Sequence, residues 1–209
     1  MLSGYEKICS AAYWLALIIW FSVISAAAIT AISAFASLPE MDLTLGAYPQ
    51  ADGVDHGRLA AGYVTQPIFV FADLVQAACI VIVLITLVLQ VTVFGMRLRR
   101  PANWIRLICV LGAALLFAVR AAAVTPEMNA DLHAYREHLQ AGQIDTARPR
   151  YNEFEAGHRT SRHLYDGTFA LVLVGIIASS AAFVHDPRRD STKKSPEPLL
   201  EPPQLSGKP

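Results

Sequence analysis

PIFVFADLVQAACIVIVLITLVLQVTVFGM, residues 67–96, followed at once by Arg97, Arg99 and Arg100, decides the fold. A helix rises 1.5 Å per residue, so about 20 apolar residues cross a hydrocarbon core of roughly 30 Å. This run exceeds that length with a single charge, Asp73, and its basic terminus marks an interface. It spans a membrane. Pro67 at its start suits a first helical turn, where the missing N–H is no loss.

Three further runs read the same way. Residues 11–38 carry no charge, residues 104–125 carry Arg106 and Arg120, and residues 165–185 close at His185, Pro187, Arg188 and Arg189. The expectation is an all-α integral membrane protein, a four-transmembrane-helix bundle with spans near 11–38, 67–96, 104–125 and 165–185. Lys7 ahead of the first run and Ala34-Phe35-Ala36 behind it also fit a signal peptide, although the run is about twice the usual length of a signal's apolar region.

The whole chain agrees. Of 209 residues, 54% are hydrophobic and 16% charged, and the mean hydropathy is +0.40, too apolar for an ordinary soluble domain. Seventeen basic and seventeen acidic residues cancel, which argues against nucleic acid as a partner and leaves the lipid bilayer as the principal one. Cys9, Cys79 and Cys109 stand in no metal-binding or haem-attachment spacing, so they read as free thiols. No Gly-rich phosphate loop, nucleophile elbow or Walker lysine occurs, so nothing marks a conventional enzyme, and no cofactor is expected.

Residues 39–66 turn polar and glycine-rich, the composition of an external loop with a short helix near 54–63. Pro126 ends or kinks the third helix. Between residues 127 and 164, Met128, Leu132, Tyr135 and Leu139 recur at helical spacing, followed by Tyr151, Phe154, His158 and Tyr165. An extramembrane helical hairpin between helices 3 and 4 follows, broken across 142–149. Residues 1–10 form a short cytosolic N-terminus. The prolines and lysines of 186–209 belong to a disordered cytosolic tail. Basic residues crowd beside 97–106 and 188–194 and are sparser in the other connections, which places both termini in the cytosol of a bacterial inner membrane.

Charges inside the membrane carry the functional signal, because an isolated one costs several kcal/mol and persists only when paired or wetted. Counting from the inner interface, Asp73 and Asp166 stand roughly 28 to 31 Å up, and Arg120 about 9 Å deeper with a side chain long enough to snorkel outward. The three form an intramembrane polar cluster. It serves either as an ion pair locking helices 2, 3 and 4 or as a water-accessible site for an ion, proton or small polar ligand. His133, His138, His158 and His163, from the two arms of the hairpin, are candidate metal ligands with Asp131 or Glu137. Their local spacing of five turns the rings apart on a helix. Small-residue faces (Ser25, Ala28, Ala31; Gly112, Ala113, Ala114; Gly175, Ser179, Ala182) suit close helix packing or a homo-oligomer contact.

Ala60-Ala61-Gly62 before the second span, the basic turn after it, Val124-Thr125-Pro126 closing the third, the charged stretch, and Phe154 with His158-x-x-Ser161 together resemble one family. It is the four-span membrane domain related to transmembrane protein 205, over residues 11–185. The resemblance implies architecture and membrane location and no particular reaction. A structural or accessory subunit of a larger membrane complex is the leading expectation, since four helices without an internal repeat are few for an alternating-access carrier. A transporter or binding protein for a small polar solute, proton or metal ion is the alternative. Whether Asp73, Arg120 and Asp166 enclose water or only touch one another separates the two.

Overall fold

The computed structural model describes residues 2–48, 53–96 and 100–184. Helix α1 covers Leu2–Ser37 and is followed by a 3-10 turn at Pro39–Met41. Helix α2 covers His56–Thr92 and α3 Pro101–Val119, continued by a π-helical turn at Arg120–Val124. Helix α4 covers Thr125–Gln140 and α5 Ile144–Val184. No strand occurs among the described residues. Four helical segments, Gly4–Met41, His56–Thr92, Pro101–Gln140 and Ile144–Ala181, are long and apolar enough to cross a membrane. The protein is an all-α, four-helix membrane bundle. The tail expected at 186–209 lies outside the described residues.

The bundle is apolar on both its inner and outer surfaces, as a helix in lipid must be. Tyr13, Leu17, Trp20 and Ile24 lie buried along one face of α1 against Cys79, Val83 and Leu87 of α2, while Leu15, Ile18, Ile29, Val81 and Ile85 point outward. Lipid is as apolar as leucine, so cohesion comes from close packing and interior polar contacts. Helix α1 packs along α2 and α3 along α5, with sparser contact between the pairs. Glycine admits the close approach of α3 and α5. A Cβ on Gly112 would stand 3.0 Å from Leu171 Cδ1, and one on Gly167 would stand 2.9 Å from Leu116 Cδ1. At the end where the chain begins, the hydroxyls of Tyr13 and Ser179 bond at 3.0 Å, so α1 starts where α5 finishes.

Three expectations about helix ends are corrected. The short helix near 54–63 is the first two turns of α2, so Pro67 sits inside that helix. Asp55 caps the helix by accepting from the Arg58 backbone N–H at 2.9 Å, which moves the start eleven residues upstream of the proline. Of the end or kink expected at Pro126, the end does not occur, because helix continues through the π turn into α4. Pro126 has no N–H to donate, and the Thr125 N–H donates to the Arg120 carbonyl. The five-residue register of the π turn thereby carries the rod on into α4. The hairpin is helical as expected, but its break is shorter. Only 141–143 separate α4 from α5, with Gly142 at a φ of 71°, and Pro149 is accommodated in the second turn of α5.

Candidate functional site

Arg120, 4% exposed, is the least exposed charged residue among those described. Its guanidinium reaches across to α2 and engages Asp73 with both terminal nitrogens, Nη1 donating to Oδ2 at 3.2 Å and Nη2 to Oδ1. A bidentate, charge-assisted pair of this kind is among the stronger polar contacts a protein makes. Gln76, one turn along α2, donates Nε2 to Asp73 Oδ1 at 3.2 Å, and its Oε1 accepts from the Trp20 indole at 3.3 Å. On the other side the guanidinium lies 5.2 Å from the Tyr165 ring and 5.5 Å from Phe117. The Tyr165 hydroxyl donates to the Ile24 carbonyl at 3.1 Å. A single polar thread therefore links all four spans. Trp20, Gln76 and Tyr165 have no linear signature, since an aromatic or amide inside an apolar run looks like core.

The π turn begins at Arg120. Such a widened turn is rare and concentrates at functional sites. Here it carries Arg120, whose side chain reaches α2, and joins α3 to α4 without a break in helical structure.

The pair is not sealed. It forms part of the wall of a half-open cavity of about 420 Å³, lined by Ala28, Ala31, Ile32 and Phe35 of α1, Phe69, Val70 and Asp73 of α2, Thr125, Met128 and Asn129 beyond the π turn, and His158, Ser161, Arg162 and Asp166 of α5. Thr125 Oγ1 is buried with no hydrogen-bond partner. The asymmetry of the walls follows from helix length. The apolar stretches of α1 and α2, residues 11–38 and 67–92, run about 40 Å, whereas those of α3 and α5, residues 107–124 and 167–184, run about 27 Å. At the hairpin end, apolar side chains of one pair therefore face polar side chains of the other.

Asp166 lines this cavity but does not join the pair. Tyr165 is the residue that α5 turns inward, at 9% exposure. The next position is rotated about 100°, which leaves the Asp166 side chain exposed. Arg120 is thus shared by Asp73 and two aromatic rings, not by two carboxylates.

The four histidines are not brought together, and among the described residues no three His, Cys, Asp or Glu side chains form a group that could hold a metal. His133 lies 3.8 Å from Glu137, both exposed. His138 Nδ1 is 2.9 Å from Gln143 Oε1. His158 stacks on Phe154 at the cavity rim. Asp131 is engaged by Arg150 at 3.2 Å.

Two more buried arginines escape a reading that treats cations as interface markers. Arg106 is 7% exposed, with its guanidinium 3.8 Å over the Tyr13 ring and Nη2 donating to Gln90 Oε1. Arg136 on α4 lies 3.9 Å over Tyr63 and donates to Gln66 Oε1 at 2.8 Å. Tyr63 and Tyr48 share a hydroxyl bond that ties the 39–48 loop to α2. Burial first, and then the bond to Tyr63, push the Tyr48 phenol up to about 12, against the opposing effects of Gln140 and Arg136.

Fold and site together define a four-span all-α membrane protein with a mostly apolar cavity that opens beside an ion pair at the hairpin end. Comparison with protein-family models, with curated proteins and with solved structures found no match.

Proposed function

We propose that this chain is a membrane-embedded binding protein that holds a small polar-headed molecule in the cavity beside Asp73 and Arg120. One observation carries the proposal: the ion pair, together with Asp166, opens on about 420 Å³ of space instead of closing on itself. That size falls in the range of small-molecule sites, which combine mostly apolar walls with a few convergent polar groups. The orphaned Thr125 Oγ1 adds an unmet polar atom on the wall. An accessory role draws less support, because Gly112, Gly167 and Gly175 are taken up between α3 and α5. Kinship with the transmembrane protein 205 domain belongs to the same proposal. So does the placement of the hairpin outside and of both termini in the cytosol, supported by the basic residues around 97–106 and 188–194.

The test fills the space and spares the pair. Ala31→Phe adds a ring at the wall, and native mass spectrometry of full-length protein extracted from its membrane should show a small-molecule adduct on wild type that this variant lacks at an unchanged melting temperature. Identical spectra for both proteins, with no adduct in any mild detergent, would defeat the proposal.

A further inference from the structure

We propose that the occupant is a rigid two-faced amphiphile, a fused-ring hydrocarbon with a few hydroxyl groups along one face. That face would lie on α4 and α5 and the bare face on α1 and α2. The proposal rests on the binding reading above and adds the shape of the ligand and the placement of its polar part.

Helix register puts two unlike sides of the cavity level with each other. At its inner end the Tyr165 hydroxyl bonds to the Ile24 carbonyl and Phe21 stacks on Phe169. Outward from that crossing, residue numbers rise on α1 and fall on α5, at 1.5 Å per residue. Ala28 is then level with Arg162 about 5 Å out, and Ile32 is level with His158 about 11 Å out. All four line the cavity. Polarity at these levels therefore changes across the space, from α1 to α5, and not along the axis of the bundle.

The polar groups left unengaged stand on one side. Among the described residues Asn129, Ser161, Arg162 and Asp166 make no side-chain hydrogen bond or ion pair, and Thr125 Oγ1 is buried without a partner. On α2 such groups are engaged already. Gln66 Oε1 accepts from Arg136 at 2.8 Å, Thr65 donates to the Ala61 carbonyl at 2.8 Å, and Asp73 is held by Arg120 and Gln76. The rest of the lining is mostly apolar, which suits a largely hydrocarbon molecule with few polar atoms. Arg162 and Asp166 cancel in charge and, with Ser161 and Asn129, offer donors and acceptors together. A hydroxyl is both donor and acceptor, whereas an ion would meet its own sign within one turn of α5. A single chain with one polar end would leave most of these groups unmet. An amphipathic helix, about 10 Å across, outgrows about 420 Å³ beyond its first turn, and a fused-ring skeleton fits.

The experiment uses full-length protein in phosphatidylcholine nanodiscs and chenodeoxycholyl alcohol carrying a diazirine on its side arm. The two ring hydroxyls of this bile alcohol share one face. Labelling should vanish in Ala31→Phe. Unlabelled chenodeoxycholyl alcohol should compete about tenfold better than ursodeoxycholyl alcohol, its epimer with one hydroxyl on each face, the factor expected when a hydroxyl loses its hydrogen bond against an apolar wall. Asn129→Leu combined with Ser161→Ala should remove that preference with the melting temperature unchanged. Equal competition by the two epimers, with labelling still lost in Ala31→Phe, would overturn the two-faced assignment and leave the binding reading standing. Dodecanol competing as well as the same-face isomer would do the same, returning the occupant to a chain with a polar end. A preference that survives the double substitution would overturn the seat of the polar face on α4 and α5. No labelling of a protein that still carries its native adduct would overturn the ring system alone. Labelling indifferent to Ala31→Phe would overturn both this proposal and the binding reading.

Discussion

Removing one member of the Asp73–Arg120 pair should cost different amounts depending on which is removed. Breaking a buried ion pair typically costs 3–5 kcal/mol, because the remaining charge is stranded. Arg120→Met keeps most of the stem volume and strands Asp73, whose side chain is 22% exposed, faces the cavity, and keeps the Gln76 hydrogen bond. Water and Gln76 stabilise it, so the loss should fall near about 3 kcal/mol. Asp73→Ala instead strands a guanidinium with 5% side-chain exposure that cannot shed its proton, so the loss should approach about 5 kcal/mol. The double variant should recover roughly 2 kcal/mol of the summed loss, the value of a bidentate charged contact. Reversible unfolding in mixed micelles titrated with dodecyl sulfate, followed by helical circular dichroism, measures all four corners of the cycle. Equal single losses with a coupling below about 0.5 kcal/mol would show that the two charges act independently and would remove the pair as a lock between α2 and the α3–α4 rod.

Gly57→Ala should loosen the 39–48 loop, because a Cβ there would stand 2.4 Å from Pro39 Cα and 2.6 Å from the Leu38 carbonyl oxygen. A loss of about 1–3 kcal/mol follows from overpacking against backbone, and limited proteolysis near Leu43–Tyr48 should accelerate. Tyr48 titrates near 12 in the folded chain and near 10 when unfolded. The unfolded state therefore loses its proton first, and stability should fall as pH rises above 10. Difference absorbance between wild type and Tyr48→Phe should show the phenolate only near 12, and its appearance near 10 would contradict the burial of this ring. A cysteine at Gly142 should react with an impermeant maleimide from outside the cell, and one at Ser206 only from inside. Reaction of Gly142→Cys from the cytosol would invert the proposed orientation. Slow amide exchange through Leu132–Leu139 should accompany the helical hairpin, with rapid exchange contradicting it.

The four spans were legible because lipid leaves the chain no choice: residues 67–92 without charge except Asp73 can only be a helix that satisfies its own backbone. That Asp73 and Arg120 could meet was legible from the rise per residue together with the reach of the arginine side chain. Azimuth was not. Whether Tyr165 or Asp166 turns toward Arg120 depends on the rotation of α5, and a single step of 100° exchanges an aromatic face for a carboxylate. Pro67 and Pro126 misled because local rules assign proline to helix ends, whereas the Asp55 cap and the π turn let two helices run through it. Arg106 and Arg136 were counted as interface markers, since nothing linear in sequence brings them over Tyr13 and Tyr63. The wall asymmetry follows from comparing apolar run lengths, a comparison the sequence permits but that gains meaning only once α1 and α2 are known to pack as one pair and α3 and α5 as the other.

That pairing has a consequence for biosynthesis. Helices α1 and α2 are adjacent in the chain and leave the ribosome before Arg120 emerges from it, so Asp73 enters the bilayer with no cation to meet it. Gln76, one turn away, donates to its carboxylate and makes that interval tolerable. Arg120 arrives later, on a helix whose own partner α5 is the last to be synthesised. The contact between Asp73 and Arg120 thus forms only after two separately inserted hairpins meet, and a chain halted after α4 would show both charges to whatever quality-control machinery reads unmatched polar groups in the membrane.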